Sequence, residues 1–217
     1  VWAVRDPKFG GAVSLGAVVS EVAGRKDVAA GVQNIHYESK GAFTGAIAAG
    51  IAAEAGASWV LVGHSERRHK FAETEAEAGR KVQAALSNGL NPILCVGEKL
   101  EQRQAGETET VVLRQLEAGL SGLDALSIAR VAIAYEPVWA IGTGVNATPQ
   151  DAATVHQAIR GWLAAHTPAG SGSQILYGGS VSATNAGDLL ARPEIDGVLV
   201  GGASLEADSW VTICGAG

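Results

Sequence analysis

Residues 131–144 have the sequence Val-Ala-Ile-Ala-Tyr-Glu-Pro-Val-Trp-Ala-Ile-Gly-Thr-Gly. An apolar run ends in a single carboxylate, Glu136, and Pro137 then restricts the backbone beside it. Gly142 and Gly144 leave the following loop free to move or to bring backbone N–H groups close to an anion. The stretch therefore predicts a strand that carries a general base, followed by a closing loop. The alternative is a strand followed by a solvated loop, with Glu136 on the surface.

Six further β-type runs of this kind lie along the chain, and together they predict a parallel sheet. The seven runs are residues 1–4, 28–32, 59–62, 92–96, 131–134, 174–177 and 197–200. Most of them are separated by segments with helical spacing, including one that Thr148 caps and Pro149 opens. Alternating strands and helices form βα units, so the sequence predicts an α/β fold in one domain, residues 1–217. A closed (β/α) barrel has eight strands, one more than these seven.

The bulk composition limits the class of protein. Hydrophobic residues make up 47% of the 217 residues and aromatic residues 5%, which suits a parallel sheet covered by helices. A net charge of −6 argues against nucleic acid or an anionic membrane as the main partner. Cys95 and Cys214 lack metal-type spacing, so we expect neither a metal site nor a disulfide framework. Because no signal peptide or membrane-spanning stretch is evident, the expected location is the cytoplasm.

Polar residues follow the third run, at the end of a strand where parallel βα folds bind ligands. The segment is Gly63-His64-Ser65-Glu66-Arg67-Arg68. His64 is placed to donate a hydrogen bond to a substrate oxygen, and Glu66 lies one step into the next turn. The alternative is a structural histidine held by a backbone carbonyl.

Paired glycines follow the last two runs. The segments are Tyr177-Gly178-Gly179-Ser180-Val181 and Gly201-Gly202-Ala203-Ser204. Two such turns on neighbouring strands, each leading to a possible helix start, predict a phosphate site made of backbone N–H groups. Barrels frequently bind phosphate at these two units. The alternative is two tight turns without a ligand.

From about Gly31 onward, the chain resembles the triosephosphate isomerase family. The matching segments are residues 33–36, 41–45, 63–68, 93–98, 135–144, 175–181 and 198–204. The resemblance implies a parallel (β/α) TIM barrel, shortened at its N-terminal end, with seven clear βα units. It also implies cofactor-free interconversion of glyceraldehyde 3-phosphate and dihydroxyacetone phosphate. That family is a known case of a glutamate base working with a neutral histidine.

The resemblance also implies a role for each candidate catalytic residue. Glu136 would move a proton between two carbons of the substrate. His64 would polarise the substrate oxygens, and Glu66 would support the site.

Other segments gain a role from the same resemblance. Residues 137–147 would form a lid, and residues 41–45 would dock into a second subunit of a homodimer. Cys95 would be a packing residue. The residues implied in phosphate binding are Gly142, Ser180, Gly201 and Gly202.

The chain departs from the family pattern at its beginning. The family's first strand carries Asn-Trp-Lys, whose lysine places a positive charge beside the substrate, and this chain has no such segment. Residues 1–4 are either that strand, with Ala3 in place of the lysine, or the second strand, with the first βα unit absent. Losing one preorganised donor at an oxyanion costs on the order of 10²–10³ in rate. We therefore expect strongly reduced or no activity, unless Lys8 substitutes.

Two functions fit these observations. The first is an isomerase by descent with impaired activity. The second is a non-catalytic barrel that binds phosphate or serves as a scaffold. The presence of Glu136, His64 and the lid favours the first, because a binding protein needs no base. The missing lysine favours the second.

Overall fold

The computed structural model describes residues 2–3, 13–141, 147–167 and 172–217. Seven strands occur in this part of the chain, and each falls on one of the seven predicted runs. They are β1 (Trp2–Ala3), β2 (Gly31–Val32), β3 (Trp59–Val62), β4 (Asn91–Val96), β5 (Ala132–Tyr135), β6 (Ile175–Tyr177) and β7 (Gly197–Val200). The predicted alternation of strands and helices is thus confirmed.

Ten α-helices lie between or after these strands in the same described ranges. They are α1 (Leu15–Glu21), α2 (Ala49–Glu54), α3 (Ser65–Lys70), α4 (Glu75–Ser87), α5 (Leu100–Gln104), α6 (Thr108–Leu120), α7 (Ala125–Ile128), α8 (Pro149–His166), α9 (Ala186–Leu190) and α10 (Ala207–Cys214). Short 3₁₀ turns, Val138–Ala140 and Gly202–Ser204, follow β5 and β7.

The start of α8 follows the sequence prediction. Pro149 is its first residue, and the Thr148 hydroxyl accepts a hydrogen bond from the N–H of Asp151. The Asp151 carboxylate in turn accepts the N–H of Thr148, so the two side chains form a capping box. Local chemistry alone fixes where this helix begins.

All strand pairs in the sheet are parallel, in the order β1-β7-β6-β5-β4-β3-β2. This curled parallel sheet has the architecture of a TIM barrel, as predicted. β1 pairs with β7, with Trp2 opposite Leu199, which is the place of a first strand in a closed barrel. No pairing joins β1 to β2 within the described residues, so the sheet is open on that side.

The sheet separates two groups of buried side chains. A large cluster lies between the strands and the helices and includes Ile133 and Leu94. A smaller cluster fills the inside of the curled sheet and includes Ile93, Cys95 and Leu176. Cys95 is fully buried and burial raises the pKa of its thiol, which agrees with a packing role. Both cysteines are free thiols.

A membrane-spanning segment is not found among the helices in the described ranges, because none is both long and apolar enough to cross a bilayer.

Candidate functional site

A cavity of about 670 Å³ lies where the C-terminal ends of the strands meet. Parallel strands point the same way, so the residues that follow each strand come together at one edge. The residues that line the cavity follow β2, β3, β5, β6 and β7. They include Gln33, Asn34, His64, Glu66, Arg67, Glu136, Gly178, Gly179, Ser180, Gly201 and Gly202.

Glu136 follows β5 directly and is a buried carboxylate, with 2% of its surface exposed. Its Oε2 accepts the backbone N–H of Ser65 at 2.9 Å, and its Oε1 accepts the Ser65 hydroxyl at 3.0 Å. Nε2 of His64 lies 3.0 Å from the same Oε1. The alternative of a glutamate on a solvated loop is therefore wrong.

His64 follows β3 and caps the first turn of α3. Its Nδ1 accepts the backbone N–H of Glu66 at 3.3 Å. A ring nitrogen that accepts a hydrogen bond carries no proton, so the proton is assigned to Nε2, which faces Glu136. The ring thus directs Nε2 at the carboxylate. This arrangement differs from a structural histidine held by a backbone carbonyl.

Glu66 is part of the cavity lining, but its carboxylate points elsewhere. The side chain is 58% exposed, and its Oε1 lies 3.0 Å from Nζ of Lys70, one turn further along α3. What Glu66 gives to His64 is its backbone N–H. The structure therefore brings the backbone of Glu66 into the site and leaves its side chain at the rim.

The glycine-containing turns after β6 and β7 line the same cavity. A Cβ atom at Gly201 or Gly202 would meet no atom within 4 Å, so neither glycine is required by packing. A Cβ at Gly179 would instead overlap the hydroxyl of Tyr177. Ser180 donates its hydroxyl to the carbonyl of Ala140 at 2.8 Å. The open space at residues 201 and 202 lets a ligand approach the backbone closely.

Ser180 thereby joins this turn to the beginning of the predicted lid. Trp139, in the 3₁₀ turn after β5, donates its indole N–H to Oε1 of Glu98 at 2.9 Å. Glu98 is fully buried and also accepts the hydroxyl of Tyr135 at 3.1 Å. These contacts fix the start of the segment, whereas Gly142 lies outside the described residues, as does Lys8.

Two residues of the site were not singled out from the sequence. Ser65 donates two hydrogen bonds to Glu136, and its place beside His64 at a helix start was the available signal. Glu73 accepts the backbone N–H of Gly63 at 3.0 Å, Nε of Arg67 at 2.7 Å and Nζ of Lys81 at 2.5 Å. Glu73 carries no comparable sequence signal.

The buried Glu73 carboxylate is electrostatically compensated. Burial acts to raise its pKa, but the hydrogen bonds from Lys81 and Arg67 outweigh that effect and lower it below the ordinary value. Because Glu73 also binds the N–H of Gly63, this ionised group fixes the backbone one residue before His64.

Arg68 joins the ends of two neighbouring strands. Its Nε donates to the carbonyl of Gly63 at 2.7 Å, and its Nη2 donates to the carbonyl of Cys95 at 3.0 Å. Burial lowers the pKa of this guanidinium. The two hydrogen bonds hold the end of β3 against β4, which places His64 relative to the rest of the cavity.

Comparisons with a family model, with protein sequences and with solved structures all find similarity to the same family. The model of the triosephosphate isomerase family matches residues 9–217. Triosephosphate isomerase of Herpetosiphon aurantiacus is 53% identical over 188 residues, which are 86% of this chain and 75% of that protein. Triosephosphate isomerase of Thiobacillus denitrificans is 50% identical over 203 residues, or 93% of this chain and 82% of that protein. A crystal structure of triosephosphate isomerase from Bartonella henselae is similar with a TM-score of 0.85 and 40% identity, covering 94% of this chain and 83% of that one.

Proposed function

Because this chain belongs to the triosephosphate isomerase family, we propose that it interconverts glyceraldehyde 3-phosphate and dihydroxyacetone phosphate. The observation that carries the proposal is the contact of 3.0 Å between Glu136 and Nε2 of His64 in the wall of the cavity. A carboxylate base and a neutral N–H donor in one cavity are the groups that proton transfer next to a carbonyl requires. The reaction uses no cofactor.

Glu136 and His64 divide the chemistry between them. The carboxylate of Glu136 takes the proton from one carbon of the substrate and returns it to the neighbouring carbon. The Nε2–H of His64 donates to the carbonyl oxygen and stabilises the negative charge that develops there. A neutral histidine in this role is known in this family, and here the N–H of Glu66 supports it by occupying Nδ1.

Substrate binding requires the two side chains to separate. Glu136 and His64 contact each other, yet both must contact the substrate during proton transfer. The carboxylate therefore exchanges its contact with His64 for one with the substrate. Until then, the N–H and hydroxyl of Ser65 hold it.

The phosphate group binds at the turns after β6 and β7. Ser180, Gly201 and Gly202 contribute to this site, as does Gly142 when the lid, residues 137–147, closes. Support comes from the open space beside Gly201 and Gly202, which lets phosphate oxygens reach backbone N–H groups.

A second candidate function is phosphate binding without catalysis, which the open space beside Gly201 and Gly202 would also support.

Residues 41–45 support a family-like homodimer. Phe43 in this segment is 43% exposed, while its ring packs on one side against His36 with centroids 4.1 Å apart. An exposed aromatic at the tip of an ordered loop suits docking into a second copy. The open edge of the sheet weakens that association.

A coupled isomerase assay on the purified chain tests the proposal. The wild type should convert the substrate measurably, and Glu136→Asp should lower kcat by about 10²- to 10³-fold, because the shorter side chain withdraws the base from the carbon. Glu117→Asp, an exposed change on α6, is the matched control and should leave kcat unchanged.

Three outcomes of that assay would change the proposal. Unaltered activity in Glu136→Asp would contradict the assignment of Glu136 as the general base. Activity within about tenfold of an ordinary family member would contradict the expected impairment. No activity, together with a Tm that rises on adding phosphoglycolate, would support the binding function instead.

A further inference from the structure

The buried Glu98 side chain binds the residues on both sides of Glu136. It accepts the hydroxyl of Tyr135 at 3.1 Å and the indole N–H of Trp139 at 2.9 Å. Its backbone carbonyl also accepts the N–H of Val138 at 3.1 Å. The position of Glu136 in the cavity wall therefore depends on how firmly Glu98 and Trp139 are themselves held.

Arg103, on α5, packs against this pair of side chains. Its Cζ lies 4.5 Å from the centre of the Trp139 ring, and its Nη1 lies 3.7 Å from Oε1 of Glu98. The face of an indole ring attracts a cation, and the planar guanidinium suits such stacking. The Arg103 side chain is 29% exposed, whereas Glu98 is fully buried. Arg103 therefore contacts the ring that follows the base and also lies close to the carboxylate that binds this ring.

The same guanidinium also binds the beginning of α8. Its Nη2 donates to Oδ1 of Asp151 at 2.7 Å. The other oxygen of this carboxylate, Oδ2, accepts the N–H of Thr148 at 3.1 Å in the capping box. The hydrogen bonds from Thr148, and then the charge of Arg103, lower the pKa of Asp151, so this carboxylate is ionised at neutral pH. Arg103 thus links Trp139, which follows β5, to the first turn of α8.

The 3₁₀ turn that contains Trp139 also contacts the candidate phosphate site. Ala140, the last residue of this turn, is fully buried, and its carbonyl accepts the Ser180 hydroxyl at 2.8 Å. Ser180 lines the cavity together with Glu136. A shift of the turn would therefore change the positions of both Glu136 and Ser180.

We propose that Arg103 is a positioning residue for the isomerisation, because it holds Trp139 and the start of α8 in one fixed arrangement around Glu98. This inference rests on the proposed function. Arg103 lies outside the cavity lining, so it acts through other residues. Its hold on Trp139 fixes the turn after β5, and this turn in turn fixes the base Glu136 and the phosphate-site residue Ser180.

The test compares Arg103→Met, which keeps an unbranched side chain over Trp139 but removes the charge and the donors, with Arg103→Lys, which keeps the charge. Arg114→Met is the matched control, because Arg114 lies on α6 and pairs with Glu75 outside the cavity lining. The coupled assay gives kcat and KM, calorimetry with phosphoglycolate gives Kd, and Tm without ligand reports folding.

Arg103→Met should lower kcat/KM by about 10- to 100-fold, mostly through kcat, because a displacement of about 1 Å at a reacting group costs up to about 10² in rate. The Kd for phosphoglycolate should rise by up to about tenfold, since Ser180 shifts with the turn. Arg103→Lys should recover part of both losses, and Arg114→Met should behave as the wild type does. In an Asp151→Asn background, Arg103→Met should lower kcat/KM by clearly less, because the two side chains act together.

Unchanged kcat/KM and Kd in Arg103→Met, even with a lower Tm, would overturn the inference, because Arg103 would then have a purely structural role. A wild type that binds phosphoglycolate without isomerase activity would contradict the proposed function alone, since the ratio of Kd values then decides the role of Arg103. A wild type that neither binds the analogue nor isomerises the substrate would overturn both. If Arg103→Met fails to fold, Asp151→Asn replaces it, because it removes the ion pair and leaves the contact with Trp139.

Discussion

At the scale of single residues, Ser65 is the clearest addition to the sequence-based site. It bonds the same buried carboxylate twice, through its backbone N–H and through its hydroxyl. Hydrogen bonds to a charged group are stronger than those between neutral groups. Ser65 therefore helps to hold the Glu136 carboxylate in place.

Ser65→Ala should lower the free energy of unfolding by about 1–3 kcal/mol, because one oxygen of a buried carboxylate loses a donor. Chemical denaturation measures this change. In a Glu136→Gln background, Ser65→Ala should lower the free energy of unfolding by clearly less, because the carboxylate acceptor is gone. An equal loss of unfolding free energy in both backgrounds would mean that the Ser65 hydroxyl stabilises the fold through a residue other than Glu136.

At the scale of elements, the close approach of β4 and β5 positions Glu136. The N–H of Glu136 donates to the carbonyl of Val96 at 2.8 Å, which continues the pairing of the two strands. Gly97 comes next, and Gln115 on α6 binds both its N–H and its carbonyl. A Cβ atom at Gly97 would overlap the carbonyl oxygen of Glu136. The strand ends can be this close only because residue 97 has no side chain.

Gly97→Ala should therefore push the start of the lid away from β4 and move Glu136. A displacement of about 1 Å at a reacting group costs on the order of 10² in rate, so kcat/KM should fall by about that factor. Tm should also fall, because the clash is with backbone and the neighbouring side chains cannot relieve it.

Gly161→Ala is the matched control for that substitution. Gly161 lies inside α8, and a Cβ there would meet no atom within 4 Å. Alanine in a helix interior is favoured over glycine by roughly 0.5–1 kcal/mol, so Tm should rise and kcat/KM should stay the same. Equal effects of the two substitutions would contradict the steric explanation.

At the scale of the whole molecule, a buried histidine outside the cavity lining makes stability depend on pH. His156 on α8 is fully buried, and its Nδ1 lies 3.1 Å from the carbonyl of Glu194. Its ring packs edge-on against Tyr135, with centroids 6.0 Å apart. Burial lowers the pKa of His156 from 6.5 to about 4, while Asp196 and Arg160 act on it in opposite directions.

His156 thus binds a proton less tightly in the folded protein than in the unfolded chain. Stability from His156 is fully present above pH 6.5 and is lost as the pH falls toward about 4. At about 1.4 kcal/mol per pKa unit, the loss amounts to roughly 3 kcal/mol. Urea unfolding measures the free energy of unfolding of the wild type and of His156→Gln. The difference between the two proteins should therefore change by this amount between neutral pH and pH 4. A constant difference would contradict the buried neutral histidine.

The sequence by itself determined the strands, the start of α8 and the two residues at the centre of the site. Runs such as residues 59–62 and 197–200 became strands with those bounds, because a continuous apolar run suits a strand buried on both faces. Thr148 and Pro149 specify a helix start through hydrogen bonds that span three residues. Glu136 and His64 were found because each lies within two residues of the end of a strand.

Only the tertiary structure decided which groups surround that centre. Ser65 reaches Glu136 across 71 positions of the chain, and Arg68 reaches the carbonyl of Cys95 across 27. The pairing of β1 with β7 likewise joins the two ends of the chain. No local period or spacing encodes such contacts, because they arise when parallel strands curl and bring their C-terminal ends to one edge. Glu136 and His64 are therefore visible in the sequence, whereas the groups that hold them depend on the fold.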